Sequence, residues 1–118
     1  MPAPVVLAVS NTTAIDQDYP TDISNVTNDF DFYLENITIS FSGAPSTTGD
    51  LVLTLDSNSG SNYDVVLISI DPSQHPAVQD FVYTPDSPLL CVSGDQINIS
   101  YPNTDSLTWG LRVVGISA

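Results

Sequence analysis

The chain has 118 residues, 42% of them hydrophobic, with fourteen acidic residues against one basic residue and a formal charge of -13. That length predicts one domain able to bury roughly two-thirds of its unfolded surface. That charge excludes direct binding to nucleic-acid backbones and to anionic membranes, and it opposes close assembly unless a cation or a basic partner compensates it.

Residues 1–31 are the least regular. Pro2, Pro4 and Pro20 bracket a short apolar run at 5–9, after which Asn, Thr and Asp are interrupted by single apolar residues. The pattern predicts an extended N-terminal arm with short strands, of the kind that either wraps a neighbour or stays mobile. The β-sandwich domain is expected over 32–118. Within it Ile37, Ile39 and Phe41 oppose Asn36, Thr38 and Ser40 until Gly43-Ala44-Pro45 ends the strand. Leu51, Leu53 and Leu55 form the next alternating run. Residues 63–70 are apolar on both parities, which predicts a strand buried on two faces, central in a sheet or at an interface.

Further runs follow at 78–84 and 89–92, separated by a turn containing Pro85 and Pro88. Residues 94–116 then show Ile97, Ile99 and Tyr101 on one parity, a Pro-Asn-Thr-Asp-Ser turn, and Leu107, Trp109, Leu111 and Val113 on the parity opposite Arg112. This reads as a β-hairpin with one buried face. Short strands every ten or so residues, with Gly and Pro between them, predict an all-β antiparallel sandwich, jelly-roll-like, of about eight strands.

Candidate chemistry is sparse. A lone cysteine, Cys91, sits in an apolar run and reads as a core residue. With a single histidine beside it in the inventory, a zinc site is excluded. His75 lies in a Gln-His-Pro loop without a Gly-x-Ser-x-Gly elbow, so no Ser-His-Asp triad is read. Paired carboxylates for glycoside hydrolysis stay open, with Asp64 and Asp80 beside apolar residues. No cofactor is expected. Calcium is the one metal with candidates: Asp56-Ser-Asn-Ser-Gly-Ser-Asn-Tyr-Asp64 echoes an EF-hand loop, but Gly60 is one place early and Leu67 stands where the bidentate Glu belongs. Asp16, Asp18 and Asp22 form a looser oxygen-rich set. Tyr33, Tyr63, Tyr83, Tyr101 and Trp109 offer planar rings for a sugar, although the parity of Tyr101 and Trp109 places those two in the core. The partner-interface candidates are Pro2, Pro4 and Val5 in the arm, Val66, Ile68 and Ile70 in the doubly apolar run, and Arg112, whose guanidinium is open to an acid of its own sheet or of a neighbour.

Asn36-Ile-Thr-Ile-Ser-Phe-Ser, Gly49-Asp-Leu-Val-Leu-Thr-Leu-Asp-Ser, Gly94-Asp-Gln-Ile-Asn-Ile-Ser-Tyr and Pro102-Asn-Thr-Asp-Ser-Leu-Thr-Trp-Gly-Leu together resemble the small jelly-roll virion proteins of tailed bacteriophages. The likeness runs from about residue 32 to 116 and leaves the first 31 residues outside it. It implies a capsid decoration or cement protein on the virion surface: a homotrimer of jelly rolls bound to the major capsid protein, with no catalytic residues. The alternative within the likeness is a fibre or tailspike knob that recognises host-surface glycans. No basic, apolar leader follows Met1 and no run reaches the length of a membrane span, so synthesis in the host cytoplasm is expected, with neither nucleic acid nor membrane as partner.

Overall fold

The computed structural model describes residues 3–74 and 79–118. Among the described residues nine strands form two antiparallel sheets packed face to face. The first sheet holds β1 (Pro4–Asn11), β3 (Phe32–Phe41), β6 (Asp80–Tyr83), β7 (Leu89–Cys91) and β9 (Trp109–Ser117); the second holds β2 (Ile15–Tyr19), β4 (Leu51–Asp56), β5 (Val65–Ile70) and β8 (Gln96–Tyr101). The strand orders are β1-β9-β3-β6 and β2-β8-β4-β5, and β7 pairs with β3 beside β6. Because β6 and β7 share one side of β3, they act as a single strand interrupted at Pro85 and Pro88, which have no N–H to give a ladder. Counted that way the described residues hold eight strand positions, and every connection but β4–β5 crosses between the sheets, in the jelly-roll manner.

Inward alternation builds the core. Leu7 from β1, Ile37, Ile39 and Phe41 from β3, Leu51 and Leu53 from β4, Ile97, Ile99 and Tyr101 from β8, and Trp109, Leu111 and Val113 from β9 are all buried. Each such side chain contributes about 1.5–3 kcal/mol by leaving water, so burial, not surface charge, holds the layers together. On β3 the inward parity switches between Leu34 and Ile37. A bulge at Leu34/Asn36 absorbs Glu35 and lets both halves of the strand face the core. Its two ends are pinned across the sandwich by edge-to-face rings: Phe32 on Tyr19 at 5.3 Å and Phe41 on Tyr101 at 5.4 Å.

Three sequence expectations are corrected. Residues 96–101 and 109–117 do not pair as a hairpin: β8 lies in the second sheet and β9 in the first, so their buried parities face each other across the core. The connection is too long for a tight turn and arches over the end of the sandwich, with Asn103 and Ser106 at positive φ. Residues 3–31 are not simply an arm, because β1 pairs along its length with β9 and β2 with β8, one in each sheet. The doubly apolar run is not central: β5 is an edge strand, and Val65 and Val66 are exposed.

Much of the acidic charge is turn chemistry. Asp95 accepts the backbone N–H groups of Asn58 and Val92, Asp31 that of Ser93, Asp64 that of Ser57 and Asp22 that of Asp18. Asp105 accepts those of Ser46 and Thr47 along with the Thr47 hydroxyl. Aspartate suits these positions because its short carboxylate reaches nearby N–H groups that no ladder satisfies.

Candidate interaction surface

The two outer faces differ in chemistry. Registers on the second sheet give outward rows Asp16, Ser100, Val52, Ser69 and Asp18, Asn98, Thr54, Val66, followed by Gln96 beside Asp56. Asp16 and Asp18 both accept hydrogen bonds from the Asn98 amide. This face is polar and acidic.

On the first sheet the outward rows are Ser10, Gly110, Ser40, Asp80; then Ala8, Arg112, Thr38, Val82; then Val6, Val114, Asn36; then Pro4, Ile116, Tyr33, Leu90. Apolar side chains dominate the last two of the four rows. Val6, Tyr33, Val82 and Leu90 are exposed by 36%, 37%, 63% and 47%, and exposed apolar side chains gathered on one face mark a surface of the kind that ends up against a partner. Acids stand only at its margins: Asp80, held by the Ser40 hydroxyl, and Glu35 in the bulge. Two open depressions interrupt the face, one of about 450 Å³ over Gly110 between Ser10, Thr38, Ser40 and Arg112, the other of about 390 Å³ between Tyr33, Glu35, Pro88 and Ile116.

The seven interface candidates do not converge. Pro4 and Arg112 lie on this outer face, two rows apart. Val5 turns inward against the core, as do Ile68 and Ile70 in part. Val66 stands 59% exposed on the opposite sheet. Pro2 falls outside the described residues, as does His75. Of the residues that complete the surface, Val6, Val82, Leu90, Gly110 and Ile116 were not singled out from sequence, and Tyr33 was only as a ring for a sugar. Their signal was present as apolar residues on the outward parity of strands whose inward parity was already apolar.

Other candidates resolve individually. Tyr101 and Trp109 are core residues, so neither offers a ring to a sugar; Tyr83 packs partly on the core, and Tyr63 is exposed within the β4–β5 connection. Cys91 is buried, and desolvation, helped by the Asp95 carboxylate, pushes its thiol up to about 12. Asp64 and Asp80 are exposed and spend their carboxylates on Ser57 and Ser40. Among the described residues no three His, Cys, Asp or Glu side chains are placed to share a metal ion, and no helix is long and apolar enough to cross a membrane.

No family model and no curated protein sequence matches the chain. Among solved structures, a chain of the acidic stable capsid structure of Helicobacter pylori bacteriophage KHP30 is similar in fold. The alignment covers 98% of this chain and 93% of that one, with a TM-score of 0.51 and 11% identity. At that identity the likeness concerns the strand arrangement, and it extends through β1 and β2 as well as the rest of the sandwich.

Proposed function

We propose that this chain is a structural protein of a bacteriophage particle: a decoration or cement protein that seats as a homotrimer on the capsid shell and reinforces contacts between major capsid subunits. The observation that carries the reading is the end-to-end likeness to a chain of a phage capsid structure. A fold of this kind hosts many functions; the exposed Val6, Tyr33, Val82 and Leu90 on the outer face of the first sheet support assembly among them. Mechanically, each protomer adds buried area to shell subunits without chemical change. Its excess of acids keeps the solvent side soluble and draws the protein toward basic patches on the shell. The glycan-recognition alternative has lost its two core rings, Tyr101 and Trp109, as sugar platforms.

The test is to mix the purified protein with shells that lack it and sediment the particles. A fixed ratio to the major subunit, reached at saturation, together with shells that open at a higher temperature, is the expected result. Shells that neither retain the protein nor change their opening temperature would refute the assignment.

A further inference from the structure

We propose that the depression over Gly110 is a carboxylate socket, in which Arg112 of one protomer receives an acidic side chain from a second copy of this chain. The inference rests on the self-association proposed above and does not require the shell.

The argument begins with charge. Fourteen acids on each protomer repel a neighbouring copy, so copies can approach closely only where acids are sparse. The outer face of the first sheet is such a place, and it carries the chain's single basic side chain. Arg112 stands opposite Ala8 on β1 and Thr38 on β3. Its diagonal neighbours on those strands are Val6, Ser10, Asn36 and Ser40, and its same-face neighbours along β9 are Gly110 and Val114. All eight are uncharged. A guanidinium pairs best with a carboxylate through two parallel N–H bonds, yet in a chain so rich in carboxylates none is set beside it in the sheet.

Shape agrees with charge. Gly110 leaves about 450 Å³ open next to Arg112, lined also by Ser10 and Thr38, and a Cβ on Gly110 would meet nothing within 4 Å. The hollow is therefore open space on the outside of the sheet. A carboxylate lowered into it meets the guanidinium, with Ser10 and Thr38 alongside. The occupant is a second copy because the opposite outer face of this same chain presents Asp16, Asp18 and Asp56, an acidic counterpart to the socket. The contact joins unlike patches, a socket on one protomer and an acid on the next, and such heterologous contacts close into rings when the rotation permits. A trimer has that geometry.

The experiment follows association by sedimentation velocity over a concentration series, with R112E, R112K and G110V beside the unchanged protein. Valine suits a strand, and the space at position 110 is free, so G110V keeps the wild-type circular dichroism and melting behaviour while filling the socket. The expected result is association weakened at least about tenfold in R112E and G110V, with R112K less affected. R112K also supplies the chain's sole lysine, so a zero-length carbodiimide reaction should link position 112 of one protomer to a carboxylate of another. Peptide mapping then identifies that acid.

Wild-type association in both R112E and G110V would overturn the socket, as would an R112K sample without intermolecular links at position 112. If the unchanged protein stays monomeric and R112E loses only shell binding, a shell subunit is the occupant and the second-copy assignment is wrong. If the protein associates through Arg112 and never binds shells, the socket stands and the capsid assignment falls.

Discussion

The Tyr19 hydroxyl occupies the volume that a side chain at Gly115 would need. Tyr19 ends β2 in the second sheet and donates a 2.7 Å hydrogen bond to the Val5 carbonyl of β1, directly beside Gly115 of β9. A Cβ at 115 would collide with that hydroxyl and come within 3.0 Å of the Tyr33 carbonyl. The missing side chain thus lets one tyrosine fasten the two sheets together. G115A should cost about 1–3 kcal/mol through overpacking. Y19F alone should cost about 1 kcal/mol, for the lost bond. In the Y19F background G115A should cost distinctly less, because the colliding oxygen is gone. A double-mutant cycle by urea denaturation measures this coupling; strictly additive costs would show that the collision is relieved elsewhere.

Asn103 fastens the other end. It is 4% exposed at φ 49°; its amide donates to the carbonyls of Thr12, Thr13 and Leu107, and its side-chain oxygen accepts the Leu107 N–H. Trp109 donates its ring N–H to the same Thr13 carbonyl at 2.7 Å. N103A should destabilise by about 2–4 kcal/mol, combining unpaired buried groups with an alanine at positive φ. N103G, which removes only the backbone penalty, should fall between N103A and wild type. Trp109 emission reports both, and its environment changes only when this corner opens. Equal midpoints for N103A and wild type would show that the corner is held without the amide.

These two fastenings explain which parts of the fold were legible in the sequence. Inward faces were, because alternation on β3, β4, β8 and β9 is a local signal and burial enforces it. Strand partners were not. The parity of residues 97–101 and 107–113 suits a hairpin and an inter-sheet arch equally well; the ladders of β8 to β2 and β4 and of β9 to β1 and β3, with the Asn103 bonds to residues about ninety positions away, make it the arch. β2 was obscure because it shows two buried residues, Ile15 and Tyr19, with polar residues between. β5 misled because apolar residues on both parities suit an exposed edge as well as a buried centre. The interaction surface was harder still, since its rows run across four strands distant in sequence and exist only once register is set.

Cys91 should be silent until the protein unfolds. Its side chain is buried between the sheets, and the thiol is pushed up to about 12, so little thiolate forms near neutral pH. Labelling by a disulfide reagent at pH 8 should follow global unfolding, accelerating in denaturant in parallel with the loss of Trp109 burial. Rapid labelling of the native protein would show that β7 opens independently. Such opening is a reasonable alternative to test, because β7 is three residues long and pairs with β3 alone.

Acid should act on two loops before it acts on the core. Hydrogen bonds from the side chains of Ser73 and Gln74 hold the Asp71 carboxyl at about 2, and the Thr47 hydroxyl with the Ser46 and Thr47 backbone holds Asp105 below its usual range. In the unfolded chain both titrate near pH 4. Between about pH 4 and 2 the unfolded state therefore binds more protons than the folded one, and stability contributed above pH 4 is lost as pH falls through that window. Relief of repulsion among the other acids acts in the opposite direction as they neutralise. The melting temperature should therefore hold or rise from pH 7 toward 4 and then drop. D71N and D105N should each lower the pH 7 melting temperature slightly and flatten the drop below pH 4, because a group that cannot titrate contributes nothing to the slope. Thermal melts at half-unit steps from pH 2 to 7 measure both effects, and an unchanged acid limb in the D71N/D105N double variant would place the acid-sensitive protons elsewhere.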